Sequence, residues 1–168
     1  MNTEEIKPAT ATRQIDAPAG AIFVFLAEPA RHTEIDGSGM LRGMASGTVV
    51  SGIGEVFAMK MHHPELGDYQ MNNLVVDFKM DRRIGWEPAP GMGHPLEQEF
   101  PIGTTVGYRW IFELTPDGPD VTTVTEIFDC SNAPEDLRNA VDNGNVWVES
   151  MEKTLERLDE ICTTGSGG

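Results

Sequence analysis

Basic residues are scarce in this 168-residue chain: 12 lysines and arginines stand against 27 aspartates and glutamates, a formal net charge of −15. A phosphate array or an anionic bilayer would repel such a surface, which excludes nucleic acid and points to a small molecule or a protein as partner. Cysteine is scarcer still. Cys130 and Cys162 lie far apart, one closing a strand-like run and one on a helical stripe, so both are expected as packed free thiols and not as a disulfide framework. No Cys or His pairing has metal-site spacing. His62 and His63 are neighbours on a strand-like run and point to opposite faces, so no metal site is expected. No apolar run reaches the length of a membrane span, and the opening MNTEEIKPAT holds no signal-peptide core. The expectation is a cytoplasmic protein without membrane insertion, with a homodimer left open. Gly37-x-Gly39 and Gly52-x-Gly54 lack the third glycine and following helix of a dinucleotide site, and there is no P-loop, nucleophile elbow or Cys-His arrangement. Nucleophilic catalysis therefore has little support.

What is present begins at the end of the chain. From Pro134 to Cys162, Leu137, Val141, Gly144, Val148, Met151, Leu155, Leu158 and Cys162 recur at alternating spacings of four and three, the signature of one helix face. Asn132 is read as its N-cap, with Pro134 in the first turn, and Asn143-Gly144-Asn145 predicts a bend. Such a stripe needs a surface to lie on, and the preceding residues supply one as a sheet. Thr10 to Asp16 reads as a first strand, Ala19 to Ala27 as a short buried helix ended by Pro29, and Ala30 to Ile35 as a second helix before the turn Asp36-Gly37-Ser38-Gly39. Strands follow at Glu55 to His62, Tyr69 to Met80 and Arg83 to Glu87, and the Pro- and Gly-rich stretch from Pro88 to Pro101 reads as a long loop of the kind that forms lids and binding rims. Chain length allows one domain, placed at residues 9–162 between a disordered tail at 1–8 and a flexible tail at 163–168.

Two further strands form a hairpin across Pro116-Asp117-Gly118-Pro119. On the first, Tyr108, Trp110, Phe112 and Leu114 share a face, with Arg109 and Glu113 on the other. On the second, Val124, Glu126 and Phe128 share a face. That parity places a carboxylate among apolar neighbours. If Glu126 faces an apolar cavity, desolvation raises its pKa and suits it to general acid or base work; the alternative is a carboxylate at the cavity mouth or paired with a cation such as Arg109. Tyr69, Asn72 and Asn73 are candidates for hydrogen bonds to a ligand, but their face is left open, because Val76 and Phe78 imply one parity and Tyr69 the other unless a bulge intervenes.

The order of strand, two short helices, antiparallel strands and a long C-terminal helix, carried by IDAPAGAIFVFLAEPARHTEIDGSG, YQMNNLVVDFKMDRRIGW, YRWIFEL, VTTVTEIFD and the final helix, resembles the polyketide cyclase/dehydrase and lipid-transport superfamily. The resemblance implies an α+β helix-grip fold: a curved antiparallel sheet with two short helices, wrapped around the long helix and enclosing a hydrophobic cavity. Members of that superfamily include cyclases, aromatases, hydrolases, carriers and receptors, so the fold does not choose an activity. The residue pattern gives the same cavity lining: Phe57, Met59 and Met61; Trp86; Tyr108, Trp110 and Phe112; Glu126 and Phe128; and Val148, Met151 and Trp147 from the helix. The expected function is binding of a small hydrophobic molecule, aromatic or polyketide-like, with cofactor-independent cyclisation, dehydration or hydration by acid/base catalysis. Glu126 would transfer the proton and Asp36 would assist, unless Asp36 only caps its own turn. His32 is expected to be solvated, and His94 is a candidate lid residue. The alternative function is a non-catalytic carrier or sensor of a lipid or secondary metabolite.

Overall fold

The computed structural model of the chain describes residues 6–99 and 103–164. Strand β1 (Ala9–Ile15) leads into helix α1 (Ala19–Ala27), a 3-10 turn at Pro29–Arg31 and helix α2 (His32–Ile35). Strands β2 (Leu41–Ser46), β3 (Val56–His63), β4 (Gly67–Lys79), β5 (Arg83–Pro90), β6 (Arg109–Gly118) and β7 (Val121–Asp129) follow. Helix α3 (Glu135–Ala140), a 3-10 segment at Asp142–Trp147 and helix α4 (Val148–Thr164) close the chain. The seven strands form one antiparallel sheet in the order β1-β7-β6-β5-β4-β3-β2. With α4 laid across it, this is the α+β helix-grip fold.

Alternation fixes which side chains face the helix. Across β6 and β7, Trp110 pairs with Phe128, Phe112 with Glu126 and Leu114 with Val124, so all six share the concave face. Arg83, bridging Asp77 and Glu113, and Arg109, 3.6 Å from Glu87, occupy the convex face. In β4 the conflict between Tyr69 and Phe78 is resolved by a bulge between Val75 and Asp77. Tyr69, Asn73 and Val75 are buried on the concave side before it, and Phe78 packs on Phe23 of α1 after it.

Five elements depart from the expectation. The sequence shows no strand at β2, because two register shifts against β3 and a positive φ of 139° at Gly43 erase the period-two pattern. Strand β5 runs on through Pro88 and Pro90, which pair with Asn73 and Met71 of β4. That is tolerable because β6 pairs with β5 only from Arg83 to Trp86, so the missing N–H groups belong to an otherwise open edge. Strand β6 likewise continues through Pro116 to Gly118, with a bulge there, and the turn falls at Pro119-Asp120. The cap of α3 is Pro134 and not Asn132, and no side chain bonds to it. Helix α4 also extends to Thr164, past the boundary read from the stripe. Of the tails expected at residues 1–8 and 163–168, residues 1–5 and 165–168 lie outside the described residues, as does Pro101 at the end of the long loop.

The bend at Asn143-Gly144 is present. Asp142, Asn143 and Gly144 have φ values of 48°, 54° and 96°, and the chain turns there from α3 into α4. Gly144 is pressed on the sheet: an added Cβ would stand 2.6 Å from Phe128 Cδ1 and 2.9 Å from the Ala9 Cβ. Beyond the bend, Met151, Thr154, Leu155 and Leu158 are buried. The main backbone neighbours of α4 in the rest of the chain are β1, α2 and α1. Gly37 seals the α2 contact, since a Cβ there would collide with the Ser150 carbonyl oxygen, and its N–H donates to Thr154 Oγ1 at 2.9 Å. Gly144→Ala combines a left-handed backbone with an overpacked contact and is expected to cost about 2–4 kcal/mol in chemical denaturation. A loss below about 0.5 kcal/mol, the range of an ordinary surface change, would contradict the seating described here.

Candidate functional site

Between the concave face and α4 lies a cavity of about 410 Å³, within the range that holds drug-sized ligands. Strand β3 contributes Phe57, Met59, Met61 and His63, β5 contributes Trp86, and β6 contributes Phe112 and Trp110 with Tyr108 just before it. Glu126 enters from β7, Trp147 from the 3-10 segment and Met151 from α4. Asp36 and Ser38 line it from the turn after α2. Leu66, 45% exposed and still part of the wall, marks where the cavity reaches solvent. Of the residues expected in the lining, Phe128 and Val148 are one layer back. Phe128 is fully buried behind the wall, its ring 4.6 Å from Trp110 and 5.3 Å from Tyr108, because Gly144 and Ala9 cover it. Val148 packs against the core cluster.

Glu126 is 6% exposed, and its Oε2 is buried with no hydrogen-bond partner. Burial, with the neighbouring charge of Asp36 as the lesser cause, holds its carboxyl well above the ordinary carboxylate range. The pairing with Arg109 considered as an alternative does not occur, because Arg109 lies across the sheet beside Glu87. Trp147 Nε1 is likewise buried without a partner.

Asp36 is engaged by its own turn. Its Oδ1 accepts from Ser38 N at 3.0 Å and Ser38 Oγ at 2.7 Å, and its Oδ2 accepts from Leu41 N at 3.0 Å. Three donors hold the carboxylate in place, so its influence on Glu126 is electrostatic. Tyr108 is similarly committed: its hydroxyl donates to the Leu137 carbonyl at 2.6 Å, tying α3 to the sheet, and burial raises its pKa.

His32 is not solvated. It is buried in the wall, its ring 5.5 Å from Trp86 in a stacked arrangement and edge-on to Phe57 at 5.9 Å. Its Nε2 lies 2.9 Å from the Leu26 carbonyl oxygen and must donate to it, so the neutral ring carries its proton on Nε2 and keeps Nδ1 as an acceptor. Desolvation lowers its pKa, outweighing the Leu26 bond and Asp36. The sequence signal was present in the apolar Ile35 three residues on, which puts His32 and Ile35 on one helix face. Tyr69, Asn73 and His94 also line the cavity, with His94 set edge-on to Tyr69 at 5.1 Å and its Nδ1 accepting from Leu96 N. His62 pairs with Asp68 at 2.7 Å, while His63 turns inward. Cys130 and Cys162 are free, and burial, more than the Asp159 charge, pushes Cys162 up to about 11. Among the described residues, no cluster of three His, Cys, Asp or Glu side chains has metal-site geometry, and no helix is long and apolar enough to cross a membrane.

Fold and cavity together define an α+β helix-grip protein with a mostly apolar site, open to solvent at Leu66, that carries one unpaired carboxyl. Among proteins of known sequence, the chain is 32% identical over 170 aligned positions to the uncharacterised protein Rv0088 of Mycobacterium tuberculosis H37Rv and 31% identical to MT0096 of the CDC 1551 strain. Each match covers 94% of this chain, which spans 66% of the length of those relatives. No family profile matches. Solved structures share the fold: NE0264 of Nitrosomonas europaea, with TM-score 0.68 and 14% identity over the whole of both chains, and an Arthrobacter aurescens protein, with TM-score 0.69 and 12% identity over 99% of this chain and 91% of its own.

A raised carboxyl pKa has a definite linkage sign. Below the unfolded-state pKa of Glu126 both states are protonated; above it only the folded state keeps the proton, so stability falls as pH rises until the folded pKa is passed. His32 acts in the opposite sense, removing stability as pH falls below its ordinary value of about 6.5. Glu126→Gln removes only the first effect. The variant is expected to gain stability relative to wild type between pH 4.5 and neutrality, with a limiting slope of about 1.4 kcal/mol per pH unit, in urea denaturation at several pH values. A difference independent of pH would mean that Glu126 ionises as an ordinary exposed carboxylate.

Proposed function

We propose that this chain binds a small hydrophobic molecule, aromatic or polyketide-like, in the cavity and promotes a cofactor-independent cyclisation, dehydration or hydration through Glu126, in keeping with its resemblance to the polyketide cyclase/dehydrase and lipid-transport superfamily. The observation that carries the reading is the unpartnered buried Oε2 of Glu126 in an aromatic and methionine-lined cavity. A structural carboxyl would have a partner, since leaving one unpaired costs about 1–3 kcal/mol or more; a carboxyl held protonated in a dry site is poised to give its proton to a substrate oxygen. In a dehydration, Glu126 would protonate the departing hydroxyl, water would leave, and the carboxylate would take the proton from the adjacent carbon, restoring its starting state. Asp36 would assist by disfavouring the carboxylate form of Glu126. The substrate walls would be Phe57, Met59, Met61, Trp86, Tyr108, Trp110, Phe112, Trp147 and Met151, with Phe128 supporting Trp110 from behind.

A second reading, a carrier or sensor of a lipid or secondary metabolite, is favoured by one observation: Asp36 and Tyr108 are already engaged elsewhere, so Glu126 has no second carboxylate or phenol free to relay its proton. Native mass spectrometry of the purified protein, with extraction of whatever co-purifies, supplies the compound for the test. On the catalytic reading Glu126→Gln lowers turnover by about 100-fold or more while changing Kd only a few-fold. On the carrier reading wild type shows no turnover, and Trp110→Ala weakens binding.

A further inference from the structure

Glu126 Oε2 and Trp147 Nε1 are the buried side-chain nitrogen and oxygen atoms without partners among the described residues, and both belong to walls of the same cavity. Trp110 and Phe128 link the two positions in the fold. Trp147 packs 6.1 Å from Trp110, Trp110 pairs with Phe128 in the sheet, and Glu126 is the next inward residue after Phe128 along β7. An indole N–H can only donate, so whatever satisfies Trp147 must present an acceptor; a protonated carboxyl can both donate and accept. No lysine or arginine among the described residues lines the cavity, while the Asp36 carboxylate does. An anionic group would therefore be desolvated beside a carboxylate with no lysine or arginine to pair with it, the imidazoles of His32, His63 and His94 being the remaining basic groups of the wall, and a cationic one would meet the positive end of the Trp147 N–H. Much of the remaining wall is apolar and aromatic, with the Trp86 ring in contact with those of Phe57 and Phe112.

Building on the reading of this cavity as a ligand site, we propose that its ligand carries at its buried end an uncharged oxygen function, a phenol, alcohol or ketone, which accepts a hydrogen bond from Trp147 Nε1 and meets Glu126 Oε2, with its apolar body against Phe57, Trp86 and Phe112. Trp147 is then a specificity-determining residue. It is placed there by the left-handed turn through Asp142, Asn143 and Gly144, three positions upstream.

The test is equilibrium dialysis at pH 7 with four probes of one shape: naphthalene, 2-naphthol, 2-naphthoate and 2-naphthylmethylammonium. Wild type is expected to bind 2-naphthol about tenfold or more tighter than naphthalene, with both charged probes no better than naphthalene. In Trp147→Phe the advantage of naphthol should fall to about threefold or less while naphthalene binding is kept. Equal affinity for naphthol and naphthalene would overturn the oxygen assignment and leave the cavity as a binding site. Tightest binding of the carboxylate or of the ammonium probe would overturn the uncharged class. Binding of none of the four would fail the ligand-site reading as well. The wild-type ranking decides the matter even if the variant does not fold.

Discussion

The cavity exists because α4 is seated at its margins and not across its middle. Its chief supports are β1 at one edge of the sheet and the α2 turn at its other side, where Gly37 lets the backbone touch Ser150 and Thr154. The left-handed turn before α4 sets the angle of approach, and Gly144 can make it only because nothing larger fits over Phe128 and Ala9. A helix lying flat on the concave face would have filled that space with its own leucines. Seated as it is, α4 buries Leu155 and Leu158 at one end and leaves Met151 beside open volume.

That volume gives one carboxyl its chemistry. Strict alternation along β7 leaves Glu126 on the same face as Val124 and Phe128, while Arg83 and Arg109 pair on the opposite face and Arg13, which shares its face, is taken up by Asp159 of α4 at 2.7 Å. Each of these three arginines is paired with another carboxylate. Burial therefore raises the pKa of Glu126 well above the ordinary carboxylate range, with Asp36 adding to the effect. Burial acts on His32 with the opposite sign, lowering its pKa, so in both residues of the wall it favours the neutral form.

How far the sequence reaches depends on whether a strand keeps its period. The hairpin β6–β7 keeps it, and its inward residues, including Glu126, were legible as a set. Strand β4 breaks it once: the parity clash between Tyr69 and Phe78 in the sequence called for a bulge between them, and the structure places it between Val75 and Asp77. Strand β2 breaks it twice in six residues and left no readable signal. The prolines of β5 hid a strand extension, because their tolerance depends on a neighbour, β6, that peels away at Trp86, which is a tertiary fact. His32 shows the same limit: a polar residue on a two-turn segment reads as exposed until Trp86 is known to lie beneath it. The stripe and bend of the C-terminal helix were plain, but the unpaired Trp147 N–H that results from the bend was not.

The account rests on Glu126 being a neutral, unpaired carboxyl in the ligand-free protein. The direct measurement is a pH titration by NMR of protein labelled with 13C at glutamate side-chain carboxyls, with Glu126 assigned by its disappearance in Glu126→Gln. A carboxyl resonance that stays in its protonated position while the other glutamates titrate, and shifts only at distinctly higher pH, is the predicted result. A Glu126 signal that moves together with the exposed glutamates would contradict the account, because the group would then be hydrated or paired and the cavity would lack the chemistry assigned to it.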